Sequence, residues 1–116
     1  MMSAWSVELE PEVEEWLASL GARQFAIAAA RIDRLSELGP RIRMPHSRAL
    51  GAGLFELRFE MERAAMRVPY FLPGDHRIVL LTVFRKQRQN ERAEVERARR
   101  AMAMCVSRGH TAEGER

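Results

Sequence analysis

A chain of 116 residues, 47% of them hydrophobic, is long enough for one domain with a modest core and too short for two. Its net charge is +3, and all but one of its 19 basic side chains are arginines, whose planar guanidinium suits phosphate recognition. One cysteine excludes an internal disulfide, three scattered histidines argue against zinc, and no signal peptide or membrane-length apolar run is present. We therefore expect a cytoplasmic domain without a metal, another cofactor or a membrane partner.

The amino-terminal third of the sequence predicts one strand and two helices. Residues Trp5–Leu9 alternate between apolar and polar, as in a strand with one buried face. Pro11 then occupies a position that the first turn of a helix tolerates, and Gly21 ends that helix. A second amphipathic helix is predicted over Arg23–Leu38, where Gly39-Pro40 stops it.

The middle of the sequence predicts a loop followed by three strands. The loop covers residues 41–53, and the strands are Leu54–Phe59, Ala65–Leu72 and Arg77–Phe84. Pro73-Gly74-Asp75 is typical of a turn and predicts an antiparallel hairpin from the last two strands.

The last predicted element is a helix. Asn90 is suited to cap a helix over Glu91–Val106, and residues 108–116 are predicted to be a flexible tail beyond a single domain of residues 1–107. This order of elements predicts an α+β fold, with a small antiparallel meander sheet, two amino-terminal helices on one face and a carboxyl-terminal helix.

Three short motifs carry a family resemblance. They are LFELR at residues 54–58, RVPY at 67–70 and FRK at 84–86, together with the opening strand and helix. In their order and spacing they resemble the RelE/HigB toxin superfamily, in its phage-derived HigB-like branch, over residues 5–105. The resemblance implies a sheet with two helices on one face and an open, basic face opposite. It also implies the toxin of a type II toxin–antitoxin pair, with an antitoxin partner that we expect to be a helix-turn-helix protein encoded next to it.

The activity implied by this resemblance is cleavage of messenger RNA on the ribosome without a metal. The ribose 2′-hydroxyl attacks the neighbouring phosphate, which requires a base, an acid and cations that stabilise the phosphorane. Strand alternation puts Arg58 on the face of Glu56, away from the helices. Arg58, Arg67 and Lys86 are the predicted catalytic residues, and each is expected to be exposed.

The resemblance and the charge pattern also suggest RNA-binding residues. Arg85, Arg88 and His46 are assigned to this role, because the first two follow the last strand and the third lies in the loop before the second. The arginines of the last helix are expected to pair with glutamates or solvent on its outer face, with Arg99 among them.

Two other functions stay open at this point. The predicted site has a single lysine and no tyrosine near the start of the last helix, which fits a binding module that retains the fold and the antitoxin but not catalysis. Alternatively, the chain is a toxin directed at gyrase. In a separate, purely structural alternative, Arg58 and Arg67 pair with Glu56 and with Glu60 or Glu62 on a solvated sheet face.

Overall fold

In the computed structural model, which describes residues 4–109, the predicted α+β fold is confirmed, with three helices and a mixed sheet. The helices are α1 (Pro11–Ala18), α2 (Ala22–Leu38) and α3 (Glu91–Ser107), with a short 3-10 turn at Gly39–Arg41. The strands are β1 (Ser6–Leu9), β2 (Ser47–Gly51), β3 (Leu54–Met61), β4 (Ala64–Gly74), β5 (Arg77–Leu80) and β6 (Phe84–Arg85). The predicted tail lies outside the described residues from residue 110 onward.

The sheet differs from a pure antiparallel meander in three respects. Its order is β1-β5-β4-β3-β2, and β1 pairs with β5 in parallel. The segment predicted as loop contains β2, which pairs with β3 in antiparallel register. The last predicted strand is divided into β5 and β6, both of which pair with β4, on either side of an interruption at residues 81–83. The sheet is therefore mixed.

The hairpin of β2 and β3 has a local cause in its turn. Gly51, Ala52 and Gly53 all have positive φ angles, of 97°, 53° and 83°. Glycine adopts this conformation without the steric penalty of a side chain, so the two glycines at this turn favour the chain reversal. The prediction of a loop over residues 41–53 is wrong for its second half.

Two apolar cores lie on opposite faces of the sheet. On one face α1 and α2 pack against the strands around Val13, Ala28, Leu35, Leu57, Val68, Tyr70, Ile78 and Leu80. On the other face α3 packs around Leu54, Phe71, Val79, Leu81, Ala98 and Cys105. The second face, which we call the α3 face, was expected to be open. It is instead partly covered because α3 contributes its own apolar stripe.

Polar contacts tie α3 to the rest of the fold. The guanidinium of Arg97 donates to the Glu12 carboxylate of α1 at 2.5 and 3.0 Å, and that carboxylate also accepts the backbone N–H of Val83 at 3.0 Å. Arg99 donates to the carbonyl oxygens of Leu50 at 2.6 Å and of Gly51 at 3.1 Å. Arg97 also pairs with Glu94 on α3, as expected, but the contacts of Arg97 with Glu12 and of Arg99 with β2 show that neither side chain belongs to a purely solvated outer face.

Candidate functional site

Strands β3 and β4 bring a glutamate and two arginines together on the α3 face. Arg58 and Arg67 are cross-strand partners in the β3–β4 register. The Nε atom of each lies 3.7 Å from Oε2 of Glu56, so one carboxylate faces two guanidinium groups. We call these three residues the Glu56 cluster. It sets two positive charges side by side with a single negative charge beneath them.

The cluster is more buried than the sequence suggested. The side chains of Glu56, Arg67 and Arg58 are 0%, 8% and 18% exposed, whereas both arginines were predicted to be exposed. Arg58 donates from Nη1 to Sδ of Met44 at 3.4 Å. Glu91 at the start of α3 acts electrostatically on both Glu56 and Arg67. Arg67 also donates from Nη1 to the carbonyl oxygen of Met66 at 3.0 Å, which holds its guanidinium close to the strand.

Burial governs the protonation of this cluster. It raises the pKa of Glu56, with a further contribution from the negative charge of Glu91, although the positive charges of Arg67 and Arg58 oppose the shift. Burial also lowers the pKa of Arg67, assisted by the like charge of Arg58. Among the described residues, neither carboxylate oxygen of Glu56 has a hydrogen bond, nor has Nε of Arg67. The carboxylate is thus held by charge attraction rather than by directed hydrogen bonds.

Sequence reasoning placed Glu56 on the correct face but gave it no functional role. The signal was its alternation with Arg58 along β3, which the structure bears out. Its complete burial depends on contacts between segments that are distant in the sequence, which no local pattern reports.

A basic groove runs past the exposed edge of this cluster. It consists of two adjoining clefts that share Arg31, His46 and Arg58. One cleft, of about 440 Å³, follows β3 and reaches Phe59, Glu60 and Arg67. The other, of about 390 Å³, lies between α2 and β3. We call the two clefts together the basic groove, since four arginines and a histidine line it against one exposed carboxylate, Glu60.

His46 is one of the three residues that line both clefts. It lies just before β2, and its carbonyl oxygen accepts the backbone N–H of Arg58 at 2.8 Å. Because β2 begins at Ser47, in the described part of the chain no strand follows the outer edge of β3 beyond this point. The predicted RNA-binding histidine and the predicted catalytic Arg58 are therefore neighbours.

The structure places the other predicted site residues around β6. Phe84 is the partner of Arg67 and Arg85 that of Met66, and the backbone N–H of Lys86 donates to Ala65 at 2.8 Å. Strand alternation puts Phe84 on the α3 face, and Lys86, which directly follows β6, has the same parity and is exposed. Arg85 has the opposite parity and shares the face of Met66, which packs with α1 and α2.

The remaining predicted RNA-binding residue is separate from the groove. Arg88 is exposed in the turn that precedes α3 and lines neither cleft. The structure thus brings Arg58, Arg67 and His46 together along the groove, whereas Lys86, Arg85 and Arg88 line neither cleft.

Other reactive groups of the described chain lie away from the groove. The Cys105 thiol is buried in the core beneath α3, and burial raises its pKa to about 11, which makes the nucleophilic thiolate rare. His76 stacks on Trp5, with ring centroids 4.3 Å apart. Over residues 4–109, histidine, cysteine and carboxylate side chains form no cluster that could bind a metal ion. Within the same range, none of the helices has the length and apolar character required to span a membrane.

Comparison with known proteins agrees with this geometry. The family model described as "Phage derived protein Gp49-like (DUF891)" matches residues 15–103. The fold is similar to that of an arginine-substituted variant of the toxin RelE from E. coli in its free state, with a TM-score of 0.59 and 14% identity over 82% of this chain and 93% of that one.

A second solved structure supports the same fold. It is the toxin–antitoxin complex RelBE2 from Mycobacterium tuberculosis, with a TM-score of 0.53 and 22% identity over 74% of this chain and 95% of that one. No curated protein sequence matches the chain significantly. The resemblance found in the three motifs is confirmed by the family model and by these two folds.

Proposed function

Because the chain belongs to the phage-derived Gp49-like family, we propose that it is the toxin of a type II toxin–antitoxin pair and that it cleaves messenger RNA in the basic groove. The observation that carries this proposal is the juxtaposition of Arg58 and Arg67 at the edge of a groove lined by further cations. Two adjacent guanidinium groups are suited to a phosphodiester, whose negative charge increases in the transition state. The similarity in fold to the E. coli toxin RelE supports the same function.

The proposed reaction needs no group that the chain lacks. The 2′-hydroxyl oxygen attacks the adjacent phosphorus, the bond from phosphorus to the 5′-oxygen breaks, and a cyclic phosphate and a 5′-hydroxyl remain. Arg58 and Arg67 stabilise the phosphorane from β3 and β4, and Lys86, which directly follows β6, supplies a further cation. The imidazole of His46, exposed in the groove beside Arg58, accepts the 2′-hydroxyl proton and returns it to the leaving oxygen. Glu56, which is buried beneath the guanidinium groups, positions them.

The site of action and the partner are proposed on the same basis. We propose that the message is cut while it is bound to the ribosome, and that a neighbouring antitoxin covers the groove with an acidic segment that folds on binding. The solved complex from M. tuberculosis is a toxin–antitoxin complex of similar fold, which supports a partner of this class.

The decisive experiment is induction of the chain alone in bacteria, followed by primer extension on translated messages. Growth arrest with new 5′ ends inside reading frames is expected, and coexpression of the adjacent gene product should suppress both. His46→Ala should reduce cleavage by about 10²-fold or more. Arg100→Ala is the control and should cleave like the parent, because Arg100 is exposed on α3 and lines neither cleft.

One observation favours a second candidate, a binding module without catalysis. Arg67 is largely buried, so only the edge of its guanidinium is available to a phosphate. In that case the chain would bind its antitoxin and leave growth and transcripts unaffected. Arrest with intact transcripts would instead indicate a target such as gyrase, and either result would contradict the proposed cleavage.

A further inference from the structure

The cleft between α2 and β3 has an apolar floor and a cationic rim. The floor is formed by Ile27, Ala30, Ile42 and Leu57, and the rim by Arg31, Arg34, His46 and Arg58. Residues 27, 30, 31 and 34 recur at the spacing of one helical face, which is why α2 presents apolar and basic side chains to the same cleft. This combination differs from the Glu56 cluster, where the charges face each other without an apolar surface between them.

The two α2 arginines of this cleft have no ionic partner. Over residues 4–109, neither Arg31 nor Arg34 forms an ion pair or a side-chain hydrogen bond, whereas Arg97 and Arg77 on other surfaces bind carboxylates. The neighbouring carboxylate on α2, Asp33, lines a different depression beside β1. Unpaired guanidinium groups one helical turn apart are available to phosphates of a nucleic acid strand.

We propose that this cleft is a nucleotide subsite of the basic groove, in which one unstacked RNA base lies on the apolar floor beside His46 while its flanking phosphates contact Arg31 and Arg34. The inference rests on the proposed function and extends it from the scissile phosphate to a neighbouring nucleotide. An apolar floor with an imidazole at its rim fits the face of a base, and single-stranded RNA is commonly bound with splayed bases and arginine contacts. A base held in a duplex cannot enter such a cleft, and the proposed attack by the ribose 2′-hydroxyl requires RNA, so the substrate class is single-stranded RNA.

The base contact is tested with a variant that fills the cleft. Ala30 is an exposed floor residue of α2, so Ala30→Leu occupies the space of the base and leaves every charge in place. Ala26→Leu is the matched control, because Ala26 is exposed one helical turn earlier and lines neither part of the groove. The probe is a 2′-fluoro single-stranded RNA, which lacks the attacking hydroxyl and is bound without being cut. Affinity for Ala30→Leu should fall about fivefold to a hundredfold, with an unchanged salt dependence.

The phosphate contacts are tested by the salt dependence of the same binding. Arg31→Ala and Arg34→Ala should each weaken binding and reduce the slope of log Kd against log salt by about 0.7, the value for one phosphate of a single strand. Arg100→Ala, an exposed arginine on α3 outside the groove, should leave affinity and slope close to those of the parent. A series of oligonucleotides should also be tested, each lacking the base at one position. At one position, removal of the base should weaken binding to the parent protein and leave binding to Ala30→Leu unchanged.

The outcomes separate this subsite from the proposed cleavage. If Ala30→Leu binds as tightly as Ala26→Leu, or if no abasic position is coupled to it, the cleft holds no base and the proposal is overturned. The proposal is also overturned if the variants bind RNA normally and lose affinity only for an acidic antitoxin segment, or if the parent binds no RNA. If the parent binds RNA through these residues but cleaves none, the subsite stands and the proposed cleavage fails.

Discussion

Replacing Arg67 with alanine should destabilise the protein strongly, and the loss should depend on pH. The guanidinium lies 3.7 Å from the fully buried carboxylate of Glu56 and is itself 8% exposed. At that separation a pair of unit charges in a protein environment interacts by about 4 kcal/mol. Removing one member of a buried pair typically costs about 3–5 kcal/mol. Because Arg58 also faces the carboxylate, we expect a loss near 3 kcal/mol, against about 0.5 kcal/mol for an exposed charge.

The direction of the pH effect follows from the raised pKa of Glu56. A carboxyl group whose pKa is raised in the folded state binds its proton more readily there than in the unfolded chain. Burial of the charged carboxylate therefore lowers the free energy of unfolding at pH values above that pKa, and this loss disappears as the pH falls through it. Without Arg67 the pKa of Glu56 rises further, since an attracting charge is lost. The deficit of Arg67→Ala relative to the parent should therefore shrink from pH 8 to pH 5.

The assay is denaturant unfolding of five proteins at several pH values. Arg67→Ala is compared with the parent, with Glu56→Gln and with the double variant, and Arg88→Ala serves as the exposed control. The neutral glutamine should restore most of the stability lost in Arg67→Ala, with a coupling of about 2 kcal/mol or more. If Arg67→Ala unfolds within about 0.5 kcal/mol of the parent at every pH, the buried charge pair contributes no stability and the reasoning is refuted.

Three further predictions concern single residues. Arg97→Ala should lose about 1 kcal/mol in denaturant unfolding, because its bidentate contact with Glu12 joins α3 to α1 and is partly exposed; a loss no larger than that of Arg100→Ala would contradict this. Thr82→Val should be neutral or stabilising by up to about 1 kcal/mol in thermal melting, since the buried Oγ1 has no hydrogen bond in the described chain. A clear loss of stability in this variant would show that Oγ1 does form a hydrogen bond. Lys86→Ala should abolish growth arrest while its melting changes by no more than about 0.5 kcal/mol, and full toxicity would remove Lys86 from the site.

The helices could be predicted because their signals are local. The predicted ends at Gly21, Leu38 and Asn90 agree with the observed helices to within a few residues. Glycine is required at position 39 for a second reason besides ending α2. Its φ is +54°, and the Trp5 indole occupies the place where a Cβ atom would lie. Strand alternation likewise placed Glu56 and Arg58 on one face of β3.

The missed features depend on contacts between distant parts of the chain. Strand β2 has no apolar alternation, and it is stabilised by pairing with β3 rather than by its own sequence. The parallel pairing of β1 with β5 joins segments about 70 residues apart, which no periodicity reports. The cationic rim at Arg31 and Arg34 meets His46 and Arg58 only because α2 packs beside β3.

The position of α3 connects stability with the proposed site. This helix completes the second core on the face of the sheet where Glu56 and Arg67 are buried. A substitution at either residue therefore changes folding together with any effect on RNA. Growth arrest alone therefore cannot distinguish a catalytic role of Arg67 from a structural one. The groove beyond the cover of α3 does not have this ambiguity, because Arg34 and His46 are exposed there and Arg34 has no ionic partner over residues 4–109. A loss of RNA affinity at these positions, with unchanged melting, reports on the groove directly.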